Sequence, residues 1–230
     1  MSQISFNFPL IDRYLDDDFI CCKENETAFN FIQNYHNKIN NIANIFTIYG
    51  KNNSGKSHLA HIWQRKMNAI FIDIDSLKDF DIAGYIENNK SYIIKNIDQI
   101  QNQINLFHLF NIINEKNCHL MLTSNVNLNK IQYQFKDLES RLKNIFTIEI
   151  KDPDIELVKM LLIKQFSMRQ LSVESRVIDY IAKNIDRNYD EIVKVSRLLE
   201  FYCFEKNKNI TIPFVSEIGL KKDIKQNKAK

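Results

Sequence analysis

Glycine, proline and arginine are scarce in this chain. Its 230 residues include four glycines, three prolines and seven arginines, against 24 lysines. With the heavy use of Asn, Ile and Lys, this bias looks like that of an AT-rich genome and carries no mechanism by itself. Cysteine is sparse too. Cys21, Cys22, Cys118 and Cys203 form no CxxC pair and no zinc-type spacing, so free thiols in a reducing compartment are expected. No apolar run reaches the ~18 residues of a membrane span, and no charged-then-apolar leader opens the chain. A cytoplasmic location is therefore expected, and the Asn-x-Ser/Thr triplets are chance matches. An excess of one charge is also missing. The 31 basic and 28 acidic residues leave a net +3, too balanced to argue for nucleic acid unaided. The most basic stretch, residues 221–230, reads as a solvated terminus. His58 and His61 share a helix face without a third ligand and read as surface or packing residues. The remainder is ordinary for a globular protein, 44% hydrophobic and 26% charged, long enough for one large domain or two small ones.

Short apolar runs with strand character recur along the first two thirds: 45–49, 69–74, 92–97, 119–123 and 146–150. Between them lie segments of helical spacing, including 57–67 and 104–115, where Leu106, Leu109, Phe110 and Ile113 share a face. Alternating strands and helices predict an α/β fold, a parallel sheet with helices on its faces. After Lys151 the pattern changes. Asp152-Pro153-Asp154 is a turn and helix-start signal, and helices are expected over about 155–170, 173–184 and 188–205, with ITIPFVSEI a candidate start of a fourth.

Two of the four glycines fall in one stretch, IYGKNNSGKSH. Gly50-x-x-x-x-Gly55-Lys56-Ser57 fits the phosphate-loop pattern, with a strand before it and a helix after it. In such a loop the backbone amides of Gly50, Lys51, Asn52, Asn53, Ser54 and Gly55 turn toward phosphate oxygens. Lys56 reaches the β- and γ-phosphates, Ser57 ligates magnesium, and the helix from Ser57 and His58 onward directs its positive end at the same anion. Chance predicts on the order of 10⁻³ matches to the pattern in such a sequence; an ordinary turn with a solvated lysine is the alternative. Asn53 stands where many such loops carry another glycine, and Asn tolerates a positive φ better than other side chains.

Hydrolysis needs more than the loop. A phosphate-loop ATPase commonly ends a neighbouring strand with acids that hold magnesium and activate water. Here that strand reads YIIKNIDQ, with Lys95 and Asn96 where two acids are expected. Asp98 comes two positions later, and Asp73 and Asp75 are weaker substitutes. An Asn amide can ligate but cannot serve as a base. Binding with slow or absent intrinsic turnover is expected.

With these features in place, the chain resembles the DnaA-type AAA+ family, and within it the Hda-like, DnaA-homologous regulators. The resemblance covers nearly the whole length in order. FxxCCKENETAFNFI is similar to the segment before the first strand and implies that Phe19 and Ile20 sit near adenine. INLFHLFNIINEKNCHLMLTSN resembles the helix and strand that end in the polar sensor-1 position, Asn125. FKDLESRL resembles the segment with an arginine finger and maps it onto Arg141, and IDRNYDEIVKVSRLLE places the sensor-2 arginine at Arg187. Surface ion pairs, Arg141 with Glu139 and Arg187 with Asp190, are the plainer alternatives for both.

The resemblance also implies partners and boundaries. Gln3-Ile4-Ser5-Phe6-Asn7-Phe8 is similar to a sliding-clamp-binding hexapeptide, an extended segment that docks apolar side chains in a groove; a first strand or loose terminus is the alternative. The expected organisation is a clamp-binding peptide at 1–12, an AAA+ α/β nucleotide-binding domain at 13–151 and a helical lid at 152–230. ADP or ATP, with Mg²⁺, is the implied cofactor. The implied partners are the initiator DnaA, the DNA polymerase III sliding clamp (β), DNA indirectly through the clamp, and a further copy of the chain. The initiators continue into a helix-turn-helix DNA-binding domain, whereas this chain stops soon after ITIPFVSEI, so sequence-specific duplex reading is not expected. In this reading Arg141 acts in trans, promoting ATP hydrolysis by DnaA and so restraining replication initiation. An active AAA+ ATPase, a helicase loader or an initiator-like protein, is the alternative.

Overall fold

The computed structural model describes residues 14–35, 44–76, 82–206 and 208–219. The hexapeptide from Gln3 to Phe8 lies outside them. Five parallel strands form one sheet: β1 (Ile45–Tyr49), β2 (Ile70–Phe71), β3 (Ser91–Ile94), β4 (His119–Ser124) and β5 (Phe146–Glu149), in the order β2-β3-β4-β1-β5. β1 is thus an inner strand, and the loop that follows it emerges between β4 and β5. The run at 69–74 contributes only two residues to the sheet. This short edge strand is followed by a turn in which Asp73 accepts from the Asp75 amide and Asp75 from the Gln101 and Asn102 amides.

Side-chain alternation sends the inner strands into two cores, which is why they read as unbroken apolar runs. Phe46, Ile48, Ile93 and Met121 pack toward α1 (Glu26–Gln33) and α2 (Lys56–Met67), around the fully buried Trp63. Ile45, Tyr92, Ile94, Leu120 and Leu122 face the other way. There they meet Leu106, Leu109, Phe110 and Ile113 of α4 (Gln103–Glu115) and Leu138 and Leu142 of α5 (Lys136–Lys143). The short α3 (Ile82–Tyr85) covers the same side.

Beyond the sheet the chain is helical: α6 (Ile155–Met168), α7 (Ser175–Asn184), α8 (Tyr189–Lys206) and α9 (Ile212–Ile218). Asp154 caps α6 by accepting the Leu157 amide at 2.9 Å, and Thr211 caps α9, whose second residue is Pro213. These helices enclose a core of their own, with Val158, Leu162, Ile181, Leu199 and Val215 buried. Two helical residues break that separation. Leu157 and Tyr189 are buried against the α1/α2 side of the sheet, and the Tyr189 hydroxyl donates to the Lys151 carbonyl at 3.1 Å. No helix among the described residues is long and apolar enough to cross a membrane.

Candidate functional site

The loop between β1 and α2 is built on two backbone demands. A Cβ on Gly50 would stand 2.9 Å from the Ile150 carbonyl oxygen, so the close approach of the loop to β5 requires glycine. Gly55 has φ 96° and Asn53 has φ 59°, left-handed conformations that turn the chain back toward α2. Asn thus occupies its position as the sequence reading anticipated. Inside the loop, Lys56 is a buried residue whose ammonium donates to the carbonyls of Gly50 (2.7 Å) and Lys51 (2.8 Å). Burial pushes its pKa down, while the carboxylates of Asp98 and Asp190 oppose that shift.

The loop forms one wall of a cavity of about 540 Å³ between the sheet and the helical part. Asn52, Asn53, Ser54, Gly55, Lys56, Ser57 and His58 line it from the loop, and Asn96 and Asn125 from the ends of β3 and β4. Phe19 and Ile20 line it from the segment before α1, held there because Asn25 donates to the Ile20 carbonyl and accepts the Cys22 amide. Phe19 stacks on Phe29 and meets His58 edge-on. From α6 come Leu157, Leu161, Lys164, Gln165 and Met168, and from α8 Tyr189 and Asp190. The cavity therefore has an apolar side, Phe19, Ile20, Leu157, Leu161 and Met168, and a polar side made of the loop. That division suits a ligand with a planar apolar part and an anionic part.

The donor set fits a nucleotide. Among the described residues the loop keeps a buried hydroxyl, Ser54 Oγ, without a hydrogen-bond partner, it requires glycine at Gly50, and its Lys56 ammonium donates to carbonyls of the loop itself. In such a complex the loop amides and Lys56 would hold the phosphates, Ser57 would offer its hydroxyl to Mg²⁺, and Phe19 and Ile20 would border the base. A bound nucleotide supplies a phosphoryl group open to transfer to water.

The end of β3, where acids would promote that transfer, carries Lys95 and Asn96, and both make other contacts. Lys95 leaves the end of β3 to lie over the Phe71 ring, 4.9 Å from its centroid. Asn96 is left-handed, and its amide donates to Thr123 Oγ1 at 3.1 Å. Asp98 accepts from the Asn125 backbone amide (2.9 Å) and side-chain amide (3.0 Å), so it orients Asn125 and does not itself line the cavity. Asp73 and Asp75 are absent from the lining as well. Asp18 and Asp190 are the carboxylates among the lining residues, and neither comes from a strand end.

Four expected site residues, Gly50, Lys51, Arg187 and Arg141, stand apart from the lining. Lys51 turns outward to pair with Asp152 at 2.6 Å. Arg187 is exposed in the connection before α8, while Asp190, its alternative ion-pair partner, accepts from Asn53 at 2.6 Å. Arg141 is exposed on α5, lying over the Phe107 ring and donating to Asn111, and Glu139 pairs with Lys143 instead. Sequence reasoning missed Tyr189, Asp190 and the α6 face. The α6 positions 157, 161, 164, 165 and 168 lie on one side at helical spacing, a signal present in the sequence.

No family model matches the chain. Among curated proteins it is similar to the chromosomal replication initiator DnaA of Buchnera aphidicola subsp. Baizongia pistaciae, 28% identical over 237 residues, covering 93% of this chain and 52% of that protein. The DnaA of Wolinella succinogenes is 27% identical, with 92% and 53% covered. The chain thus spans about half the length of the curated relatives it matches. Among solved structures, domain III of the Thermotoga maritima replication initiation protein DnaA superposes with a TM-score of 0.72 at 18% identity, covering 92% of this chain and 98% of that one. A replication initiator DnaA bound to AMPPCP and single-stranded DNA gives 0.69 at 20%, with 86% and 68% covered. The Thermotoga maritima RuvB Holliday junction branch migration motor gives 0.67 at 14%, with 88% and 70% covered. The chain thus shares the fold of these DnaA and RuvB structures, and the curated relatives named here are DnaA proteins.

Proposed function

We propose that this chain is a nucleotide-binding regulator of the DnaA type that holds ADP or ATP without hydrolysing it efficiently and acts on DnaA. One observation carries this reading: a complete phosphate loop faces strand ends that deliver Asn96 and Asn125 to the cavity and no carboxylate. Binding groups are present, and among the described residues no strand-end carboxylate lines the cavity to orient and deprotonate water. The region 152–230 serves as a lid on the AAA+ domain at 13–151, and the nucleotide braces the two.

The chemistry then belongs to the partner. Arg141 lies outside the chain's own cavity on an exposed helix, a position suited to completing the site of a neighbouring DnaA. An arginine supplied in trans raises nucleotide hydrolysis by about three to five orders of magnitude in well-studied cases. Gln3 to Phe8 would tether the protein to the DNA-loaded sliding clamp and so confine its action to replicated DNA, giving negative regulation of replication initiation. Arg187 would report on the bound nucleotide after lid closure.

The test is ATP turnover by DnaA in the presence of clamp-loaded DNA, with this protein or its Arg141→Ala variant. Stimulation that disappears in the variant is expected. Failure of the unmodified protein to stimulate overturns the regulatory reading. The names of its relatives favour a second reading, an initiator-like ATPase. Sustained ATP hydrolysis by the chain alone, coupled to DNA binding, would establish it instead.

A further inference from the structure

The polar side of the cavity carries a negative charge of the protein's own. Asp190, in the first turn of α8, lines the cavity, and its Oδ1 accepts from Asn53 Nδ2 at 2.6 Å. Asn53 is the left-handed residue of the phosphate loop, so this carboxylate is moored to the turn that would wrap the anion. It lies close enough to Lys56 to favour the charged ammonium. Asp98 also acts on Lys56, but Asn125 holds both of its oxygens, and it is not a lining residue. Asp152 also pairs with the loop, through Lys51, but does not line the cavity; Asp190 is a lining carboxylate bonded to the loop, reaching it from 137 positions away.

We propose that Asp190 is a specificity-determining residue that disfavours each added phosphoryl charge, so that this chain selects a nucleoside diphosphate over the triphosphate. The proposal rests on the nucleotide-binding reading above and adds to it the residue that sets the preference. An electrostatic selector needs no contact with base or ribose. It acts on the difference in charge between the two ligands, which the loop amides and Lys56 attract and Asp190 opposes. For unit charges about 8 Å apart across an effective dielectric of about 40, Coulomb's law gives roughly a fivefold change in affinity. The Asp190–Asn53 bond also ties α8 to the loop, so the residue that selects the ligand is part of the contact that closes the lid.

The experiment is calorimetric titration of the full chain with ADP and with AMPPCP, each with Mg²⁺, at low and high salt. Asp190→Asn keeps an acceptor for Asn53 and removes the charge, and Asp190→Ala removes both. Both variants are expected to raise triphosphate affinity relative to diphosphate affinity by roughly fivefold at low salt, with the gain shrinking at high salt. An unchanged ratio in both variants overturns the proposal. So does a shift toward the diphosphate, the result expected if Asp190 held the metal of a bound triphosphate. If the folded unmodified chain, checked by its thermal melt, binds neither ligand, the nucleotide-binding reading itself fails and the proposal falls with it.

Discussion

Replacing Gly50 by alanine places a methyl group where the phosphate loop leaves β1. The new Cβ would stand 2.9 Å from Ile150 O, 2.9 Å from Ser54 Oγ and 3.1 Å from Ile150 Cβ. Comfortable carbon contacts begin near ~3.5 Å, so these neighbours must give by roughly half an ångström. Ser54 can turn its hydroxyl aside. Ile150 cannot move as easily, because its amide donates to Tyr49 O at 2.8 Å, and the Gly50 amide is fixed to Ser124 O at 3.2 Å. Gly50 is not among the glycines with positive φ, so crowding alone sets the cost. Overpacking of this kind costs about 1–3 kcal/mol. At about 2–4 °C per kcal/mol for a chain of this size, the melting temperature should fall by about 2–12 °C. Because strain relieved by shifting the loop also displaces its amides, ADP affinity should fall as well. Thermal melts followed by ADP titration at a temperature where the variant stays folded measure both effects. A Gly50→Ala protein with unchanged melting temperature and unchanged affinity would refute the steric reasoning.

Two further outcomes follow from the same geometry. Asn96→Asp places a carboxylate at the end of β3 on the cavity wall and should raise intrinsic ATP turnover above that of the unmodified chain, measured as phosphate release. Asp154→Ala removes the cap of α6 and should lower the melting temperature at neutral pH. The Leu157 amide and then Lys23 hold the Asp154 pKa below its ordinary 3.8. Since the folded pKa is the lower one, the cap's contribution is present above the unfolded value and is lost as pH falls through the folded one. The gap between variant and unmodified melts should therefore close in acid.

The sheet was largely legible in the sequence because its inner strands are buried on both faces. Phe46 and Ile48 pack one way and Ile45 the other, which leaves an unbroken apolar run. The edge strand was overdrawn. Residues 69–74 are apolar enough for a strand, yet only Ile70 and Phe71 pair with β3, and after the Ile72 amide donates to the Ile93 carbonyl the chain turns through Asp73 and Asp75. The phosphate loop was legible because most of its demands are local: left-handed positions at Asn53 and Gly55, and a Lys56 that folds back onto the carbonyls of Gly50 and Lys51. The far wall was not. The bond from Asp190 to Asn53 joins residues 137 positions apart and that from Lys51 to Asp152 residues 101 apart, and nothing in either local sequence announces its partner. Arg141 was assigned by resemblance, and its resting place over Phe107 depends on how α4 and α5 pack, which spacing alone does not give.

The most direct test measures nucleotide retention and phosphate release together, using the purified chain with ATP and Mg²⁺ and no partner. A stoichiometric complex is expected to persist through gel filtration while phosphate appears far more slowly than the ~1–1000 s⁻¹ typical of enzymes. Rapid multiple turnover, or a folded chain that retains no nucleotide, would contradict the assignment of this site as a holder whose chemistry lies in its partner.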